Sequence, residues 1–443
     1  MDREILSPGK KLKKIRKEFK IRQHEITGDE ITRELISVIE NDKCGLSQKV
    51  AEILAENINK ICKERNIDFH LTAAYLLEDV TTQANRVADE YINFLNNNEN
   101  NISEDFTENI KEIDLFLMNQ DIPEKKNLIF EKIGDILRNQ KEYYKSHTYY
   151  IKAFEHHNKL FNDAMTFNDV KTFNLLQKIG NICIRLTKYK EALDFNGLAL
   201  IYKKNIPEDL RYKVLFNNVL CYINLEDYSS TLNEINHIEK TFQYLTKQDS
   251  FELTSLKSSC YKYQNFFNDA LQINKNLLYS LDEDELENII LVMGNTLDIY
   301  TTLKDNKNVK VYIDKLLYML NKNDISESPY LCGIYKQIGV ACNLINNIEL
   351  SKEYYKKSIK VCKQYRNKQI LKYSLDEFLD ILIKEQNSLE INDFKNEILE
   401  LISLNIIPRD NMLTLKLINY YNNIKDHESI NSLLNFLLDE NKK

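Results

Sequence analysis

The chain has 443 residues, enough for several domains or one long repeat array, and 43 % of them are apolar, enough for a sizeable core. Only 9 Gly and 5 Pro punctuate that length, which excludes a turn-rich strand fold and predicts an all-α protein. A formal charge of −7 excludes a globally cationic nucleic-acid binder, so the distribution of charge matters more than its sum. The eight cysteines form no C-x-x-C pair and no zinc-finger spacing, and several fall on apolar helix faces, where a free Cys acts as a small hydrophobe.

Ser7 and Pro8 predict the start of a first helix, as an N-cap followed by a proline at the first helical position. Residues 10–22 then carry eight basic side chains against Glu18 alone, a run suited to attracting phosphate, although residues 1–79 together hold 15 basic and 15 acidic groups. The stretch Arg22 to Lys43, RQHEITGDEITRELISVIENDK, predicts two short helices joined by a tight turn. Ile26 anchors the first, Gln23 to Thr27, and Gly28 with Asp29 makes the turn. Thr32 caps the second, whose buried stripe is Leu35, Ile36 and Ile39. That stripe leaves Arg33, Glu34, Ser37 and Asn41 on the outer side, the arrangement that major-groove readout requires. A helix from Ser47 to Arg65, with Val50, Ile53, Leu54, Ile58 and Ile61 on one face, closes a small core, and Leu71 to Glu78 adds a fifth helix. A further helix, Thr81 to Asn97, presents Val87, Tyr91, Ile92 and Leu95 and runs into the polar tract 96–101, a linker by composition.

The run from Gly9 to Asp79 resembles a Cro/C1-repressor-type helix-turn-helix domain. The matching pieces are GKKLKKIRKEFKIRQHEI, ITRELISVIENDK and the long apolar helix that follows. In that family the position of Gln23 grips a phosphate, and Ile36–Ser37 with Glu40 falls on the motif I-S-x-x-E. Two departures are Ile26–Thr27 in place of Leu-Ala, and Lys43 as the remaining basic residue beyond the recognition helix. The DNA-binding set is therefore Gln23, Thr32, Arg33, Glu34, Ser37, Asn41 and Lys43. Within it Arg33, Glu34 and Ser37 point toward bases, Gln23, Asn41 and Lys43 toward phosphates, and Thr32 is the cap.

From about residue 104 onward the sequence reads as paired amphipathic helices in a repeating register. Gly134, Gly180, Val219, Ser258, Leu297 and Gly339 align at spacings of 46, 39, 39, 39 and 42 residues. Three positions on come Leu137, Cys183, Tyr222, Tyr261, Tyr300 and Cys342; nine on, Tyr143, Tyr189, Tyr228, Phe267, Asn306 and Ile348. Twelve on, every residue is small or compact: Ser146, Ala192, Thr231, Ala270, Val309 and Ser351. The register resembles the tetratricopeptide repeat, best in IGDILRNQKEYYKSHTYYIKA and IGNICIRLTKYKEALDFNGLA, with a longer period than usual. Two degenerate pairs, about 370–403 and 412–438, cap the array. Such stacking predicts a right-handed superhelix whose first helices line an inner face able to hold an extended peptide. Asn181, Arg185, Asn217, Asn224, Lys262, Asn295, Asp298 and Asn343 are expected there, amides being able to donate and accept along a peptide backbone.

No phosphate loop, dinucleotide fingerprint, H-E-x-x-H or G-x-S-x-G occurs, so neither catalysis nor a cofactor is expected. His156 and His157 are adjacent and point about 100° apart on a helix, so no metal site is assigned. The charged opening Met1–Lys20 has no signal-peptide pattern and no run is long enough to span a bilayer, which predicts a cytoplasmic protein without membrane contact.

A helix-turn-helix domain (1–79), a connecting helix and polar linker (80–103) and a long-period repeat domain (104–443) resemble the RRNPP family of peptide-pheromone regulators. The resemblance implies a homodimer on double-stranded DNA with an inverted-repeat operator, switched by a short signalling peptide in quorum sensing. Two alternatives stand beside it: a helical-repeat protein that binds or inhibits a signalling protein such as a phosphorelay component, and a ligand-independent repressor.

Overall fold

The computed structural model describes residues 4–99, 106–161, 169–202, 206–322, 328–409 and 411–438. All regular elements among them are helices, as the composition predicts. The chain forms two compact units, 1–226 and 227–443, which are taken in turn.

The first unit opens with α1 (Pro8–Glu18), a single 3-10 turn (Gln23–Glu25), α2 (Arg33–Glu40), α3 (Gln48–Glu64) and α4 (Ala73–Leu77). Helices α1 and α2 carry the expected side-chain caps and α3 adds a third: Ser7 Oγ accepts from the amide of Lys10 at 3.3 Å, Thr32 Oγ1 from Leu35 at 3.3 Å and Ser47 Oγ from Val50 at 3.4 Å. Leu12, Ile26, Ile36, Leu54, Ile58 and Leu76 are wholly buried in one shared core. The expected helix from Gln23 to Thr27 is shorter than predicted. Glu25 turns back to cap the amide of Arg22, Thr27 Oγ1 donates to the carbonyl of His24 at 2.9 Å, and Gly28 leaves at φ +61°. So short a segment, with Ile26 as its single apolar anchor, closes one turn and no more.

Asp79 caps α5 (Val80–Asn97), whose Val87, Tyr91 and Leu95 are buried. The predicted linker tract ends this helix through residue 97, and its last two residues lie outside the described part of the chain. Then follow α6 (Phe106–Met118), α7 (Pro123–Asn139), α8 (Tyr143–Phe161), α9 (Asp169–Arg185), α10 (Tyr189–Ile201) and α11 (Glu208–Asn224).

The second unit continues the helix pairs with α12 (Tyr228–Thr241), α13 (Lys247–Tyr263), α14 (Phe267–Ser280), α15 (Leu286–Thr302), α16 (Asn306–Lys322), α17 (Leu331–Leu344) and α18 (Ile348–Tyr365). It ends in α19 (Lys368–Glu385), α20 (Ser388–Ser403), α21 (Met412–Asn423) and α22 (His427–Leu438), the two degenerate pairs.

The sequence register maps onto these helices residue by residue. Tyr143, Tyr189, Tyr228, Phe267, Asn306 and Ile348 are the first residues of α8, α10, α12, α14, α16 and α18. Three positions later Ser146, Ala192, Thr231, Ala270, Val309 and Ser351 are fully buried in every case. Two further columns emerge only in three dimensions. Seven past the register, Lys141, Thr187, Glu226, Asn265, Lys304 and Asn346 all adopt left-handed φ between 55° and 65°. The next amide then reaches back five residues, as from Glu142 to the carbonyl of Leu137 at 2.9 Å and from Phe266 to that of Tyr261 at 2.8 Å. This is the helix-ending motif that glycine usually serves, built here without glycine. Sixteen past the register, the Tyr150 ring packs so close to Gly134 that a Cβ there would lie 2.6 Å from it, and Tyr355 packs on Gly339 in the same manner.

Candidate DNA-reading face and inner repeat face

Helix α2 is positioned by one charged cluster beneath it. Glu40, 2 % exposed, accepts from Arg16 Nε at 2.6 Å, from Arg16 Nη2 at 2.8 Å and from Gln23 Nε2 at 2.9 Å. Burial alone would raise the Glu40 carboxyl, but the hydrogen bonds from Arg16 and Gln23 with the Arg16 charge outweigh it and hold the group below its ordinary value. Arg16 also donates to the carbonyl of Ile21 at 3.0 Å, so α1, the turn before α2 and the end of α2 are tied at one point.

The outer side of α2 stays open. Thr32, Arg33, Glu34, Asn41 and Lys43 are exposed and Ser37 is half-buried. Asn41 Nδ2 donates to the carbonyl of Ser37 at 2.7 Å and its Oδ1 accepts from Lys13 at 3.4 Å. Of the predicted DNA-binding set, five residues are exposed and Ser37 is half-buried, whereas the Gln23 amide is engaged with Glu40. The basic run of α1 is less available than its composition suggests. Lys11 is 3 % exposed and donates to the carbonyls of Tyr75 at 2.7 Å and Glu78 at 3.0 Å, at the C-terminal end of α4. Its stem is buried, which lowers its pKa, while its charge neutralises the helix end. Lys11 and Arg16 are therefore structural, and Lys10, Lys17, Lys20 and Arg22 are the exposed members of the basic run. Chain order could not separate the two sets, because burial of a lysine on α1 depends on where α4 lands.

In the first unit, α9 packs against α11, and the Asn217 amide donates to Asn181 Oδ1 between them. Arg185 and Asn224 are exposed on the same two helices, and Asn224 is partly satisfied by the carbonyl of Leu220 at 2.8 Å. An ion pair joins α7 and α9 one repeat earlier, where Lys178 reaches Glu131 and Asp135 at 2.7 Å each. In the second unit Lys262 on α13 pairs with Asp298 on α15, and Asn295 Nδ2 lies 3.5 Å from Ser255 Oγ. Asn343 is half-buried on α17. Desolvation would lower Lys262, but Asp298 overcomes it and its pKa is raised.

Three neighbours on this face escaped the sequence reading. Lys336 on α17 has no carboxylate in ion-pair range among the described residues, burial lowers its pKa, and its ammonium sits 5.0 Å over the Tyr373 ring of α19. Glu377, also on α19, is raised, mainly by burial and then by Asp380 and Asp376. Lys336 is three positions before the register glycine Gly339, a column that carries no fixed residue type, and α19 lies where the repeat pattern has decayed. No sequence signal marked either.

No family model matches the chain and no curated protein matches it. Among solved structures it is similar to the apo form of RapI, at 14 % identity over 89 % of this chain and 97 % of that one, with a TM-score of 0.49. It is similar to the apo form of the quorum sensor NprR from B. thuringiensis, at 16 % identity over 82 % and 99 %, with a TM-score of 0.48. PlcR from Bacillus thuringiensis in complex with the peptide PapR7 and DNA is a further neighbour, at 12 % identity over 81 % and 95 %, with a TM-score of 0.33. These neighbours are RRNPP-type regulators, the class that the sequence resembles. At such identities and scores, what this chain does is read from its own residues. No helix among the described residues is long and apolar enough to cross a membrane.

Proposed function

We propose that the chain is a sequence-specific DNA-binding transcriptional regulator whose repeats bind a short signalling peptide, and that peptide binding alters DNA binding. The observation that carries the reading is α2: side-chain-capped, buried on one stripe, locked from beneath by Arg16 and Glu40, and open on a face bearing Arg33, Glu34 and Ser37. Residues 1–79 are the DNA-binding part in this reading, 80–103 the connection, and 104–443 the peptide-binding and dimerising part.

A near-neutral domain with one recognition helix makes too few phosphate contacts for tight binding alone. A homodimer on an inverted repeat doubles them, with half-sites about one helical turn or a multiple apart. In the first unit the amides of Asn181 and Asn217 supply donors and acceptors for an extended peptide backbone; in the second unit, taken by itself, the polar groups of α13, α15 and α17 offer the same chemistry. A peptide can bias the protein only by its different affinity for two arrangements of the helices.

The test is site selection from random duplexes by the full chain, followed by binding to the selected sequence. Arg33→Ala should relax specificity by about 1–3 kcal/mol at one base pair. Lys43→Ala should weaken binding to all sequences and reduce the salt dependence. An unselective full chain, or an Arg33→Ala variant as selective as the parent, overturns the reading. Calorimetry with peptides encoded next to the gene then tests the ligand: binding should weaken in Asn181→Ala with Asn217→Ala. A selective DNA binder that takes up none of these peptides is the ligand-independent repressor.

A further inference from the structure

The junction of the first two repeats brings together three side chains that neither face uses. His147 lies on α8, Cys183 on α9 and Glu191 on α10, and one donor atom of each lies within 4.8 Å of the others. His147 Nε2 is buried and 3.0 Å from Glu191 Oε1, its ion-pair partner in the metal-free arrangement. The imidazole and the carboxylate thus meet Cys183 in one small space, where a shared cation could replace their direct contact. Cys183 is wholly buried, His147 is mostly buried and Glu191 is at the rim.

We propose that His147, Cys183 and Glu191 form a binding site for a divalent transition-metal ion, with zinc the best match. An imidazole, a thiolate and a carboxylate are the donor types zinc takes, and three protein ligands leave a fourth position for water or an exogenous donor. Calcium and magnesium are excluded by the thiol and imidazole, since both prefer all-oxygen shells. Bonds of about 2.0–2.3 Å place tetrahedral donors roughly 3.3–3.8 Å apart, so side-chain adjustments of about 1 Å complete the set.

Two features of the metal-free arrangement oppose binding and are overcome by it. Lys188 Nζ sits 2.9 Å from Glu191 Oε2, but it is an exposed, flexible group free to swing away. Burial pushes the Cys183 thiol up to about 12, so coordination must release its proton to solvent, as metal uptake by thiols does. Once bound, the ion would tie α8, α9 and α10 together two residues from Asn181, and so stiffen the helix that carries Asn181. Nothing in the sequence indicates the set: the three ligands come from three helices and share no short spacing.

The test uses the full chain, purified with chelator and then given zinc or cobalt ions alone. One ion per chain should survive gel filtration and raise the melting temperature. Cobalt should give a thiolate charge-transfer band that Cys183→Ser abolishes. His147→Gln and Glu191→Gln should each weaken binding at least about tenfold, the least that even outer-shell changes cause. Lys188→Ala should tighten it by removing the competing cation. Because Cys183→Ser places a hydroxyl in the core, Glu191→Gln at the rim decides independently of folding. No retained metal, a cobalt complex without the thiolate band, or unchanged affinity in both His147→Gln and Glu191→Gln would overturn the proposal.

Discussion

The body built from α1 to α4 and the helix pairs that follow solve the same problem in different ways. The body has a small core and supplements it with long-range polar ties: Arg16 to Glu40, Lys11 to the end of α4, and Asn59 bonded both ways to the backbone of Leu71 at 2.7 and 2.8 Å. Each tie exists once and joins residues far apart in the chain. The repeats rely on columns: a compact buried residue at Ser146, Ala192, Thr231, Ala270, Val309 and Ser351, a left-handed residue seven past each register position, and a tyrosine ring against Gly134 and Gly339. There each element packs mainly on its neighbours, and a defect is diluted along the array. A fold with unique ties localises function and fails at single points; a fold of columns spreads both.

The largest effect expected from breaking this contrast is at Glu40. Removing it leaves the half-buried Arg16 without its carboxylate partner, and since losing one member of a fully buried ion pair costs about 3–5 kcal/mol, a loss toward the lower end of that range is expected. Hydrogen exchange should show Glu40→Ala unprotecting α1 to α3 while the amides of α13 to α18 stay protected. Loss of protection throughout would mean the two regions fold as one. The same group sets an acid limit. Its folded pKa lies below the unfolded value, so its contribution is full above the ordinary carboxylate range and is lost as pH falls through the folded value. Acid titration should therefore unfold the body before the repeats.

A smaller and opposite pair of effects is expected at two repeat glycines. At Gly134 a methyl would meet the fully buried Tyr150 ring, whose hydroxyl is held by Asp135 at 2.7 Å, so Gly134→Ala should destabilise by about 1–2 kcal/mol. At Gly197 nothing lies within 4 Å of an added Cβ, and Gly197→Ala should stabilise by about 0.5–1 kcal/mol through helix propensity. Chemical denaturation measures both, and equal signs would refute the ring-against-glycine column. The smallest change is at the turns. Lys141→Gly removes a left-handed penalty of about 1–2 kcal/mol but adds unfolded-state freedom, for a net gain of about 0.5–1 kcal/mol. A loss of stability there would show that the Lys141 side chain matters more than its backbone.

How much of this was legible beforehand differs between the two regions. Caps at Ser7 and Thr32, the stripe of α2 and the repeat register that includes Tyr143 to Ile348 could all be read from the sequence, because capping and periodicity act over three or four residues. The open face of α2 was legible for the same reason. What lay beyond reach was which charges are spent inside. Lys11 and Arg16 look identical to their neighbours until α4 and α2 close over them. The turns at Lys141, Thr187, Asn265 and Asn346 carry no glycine, so their left-handed geometry left no mark.

The sequence by itself determined helix content, the caps at Ser7 and Thr32, the compact column and the exposed side of α2, all consequences of local backbone geometry. The tertiary structure decided the partners. It joined Gln23 and Arg16 to Glu40, Asn217 to Asn181, Lys262 to Asp298, and His147 to Cys183 and Glu191. Side-chain pairing across helices depends on axial offset and rotation between elements, and a shift of one residue turns a helix face by about 100°. Periodicity fixes which face a residue is on; only packing fixes what it meets there.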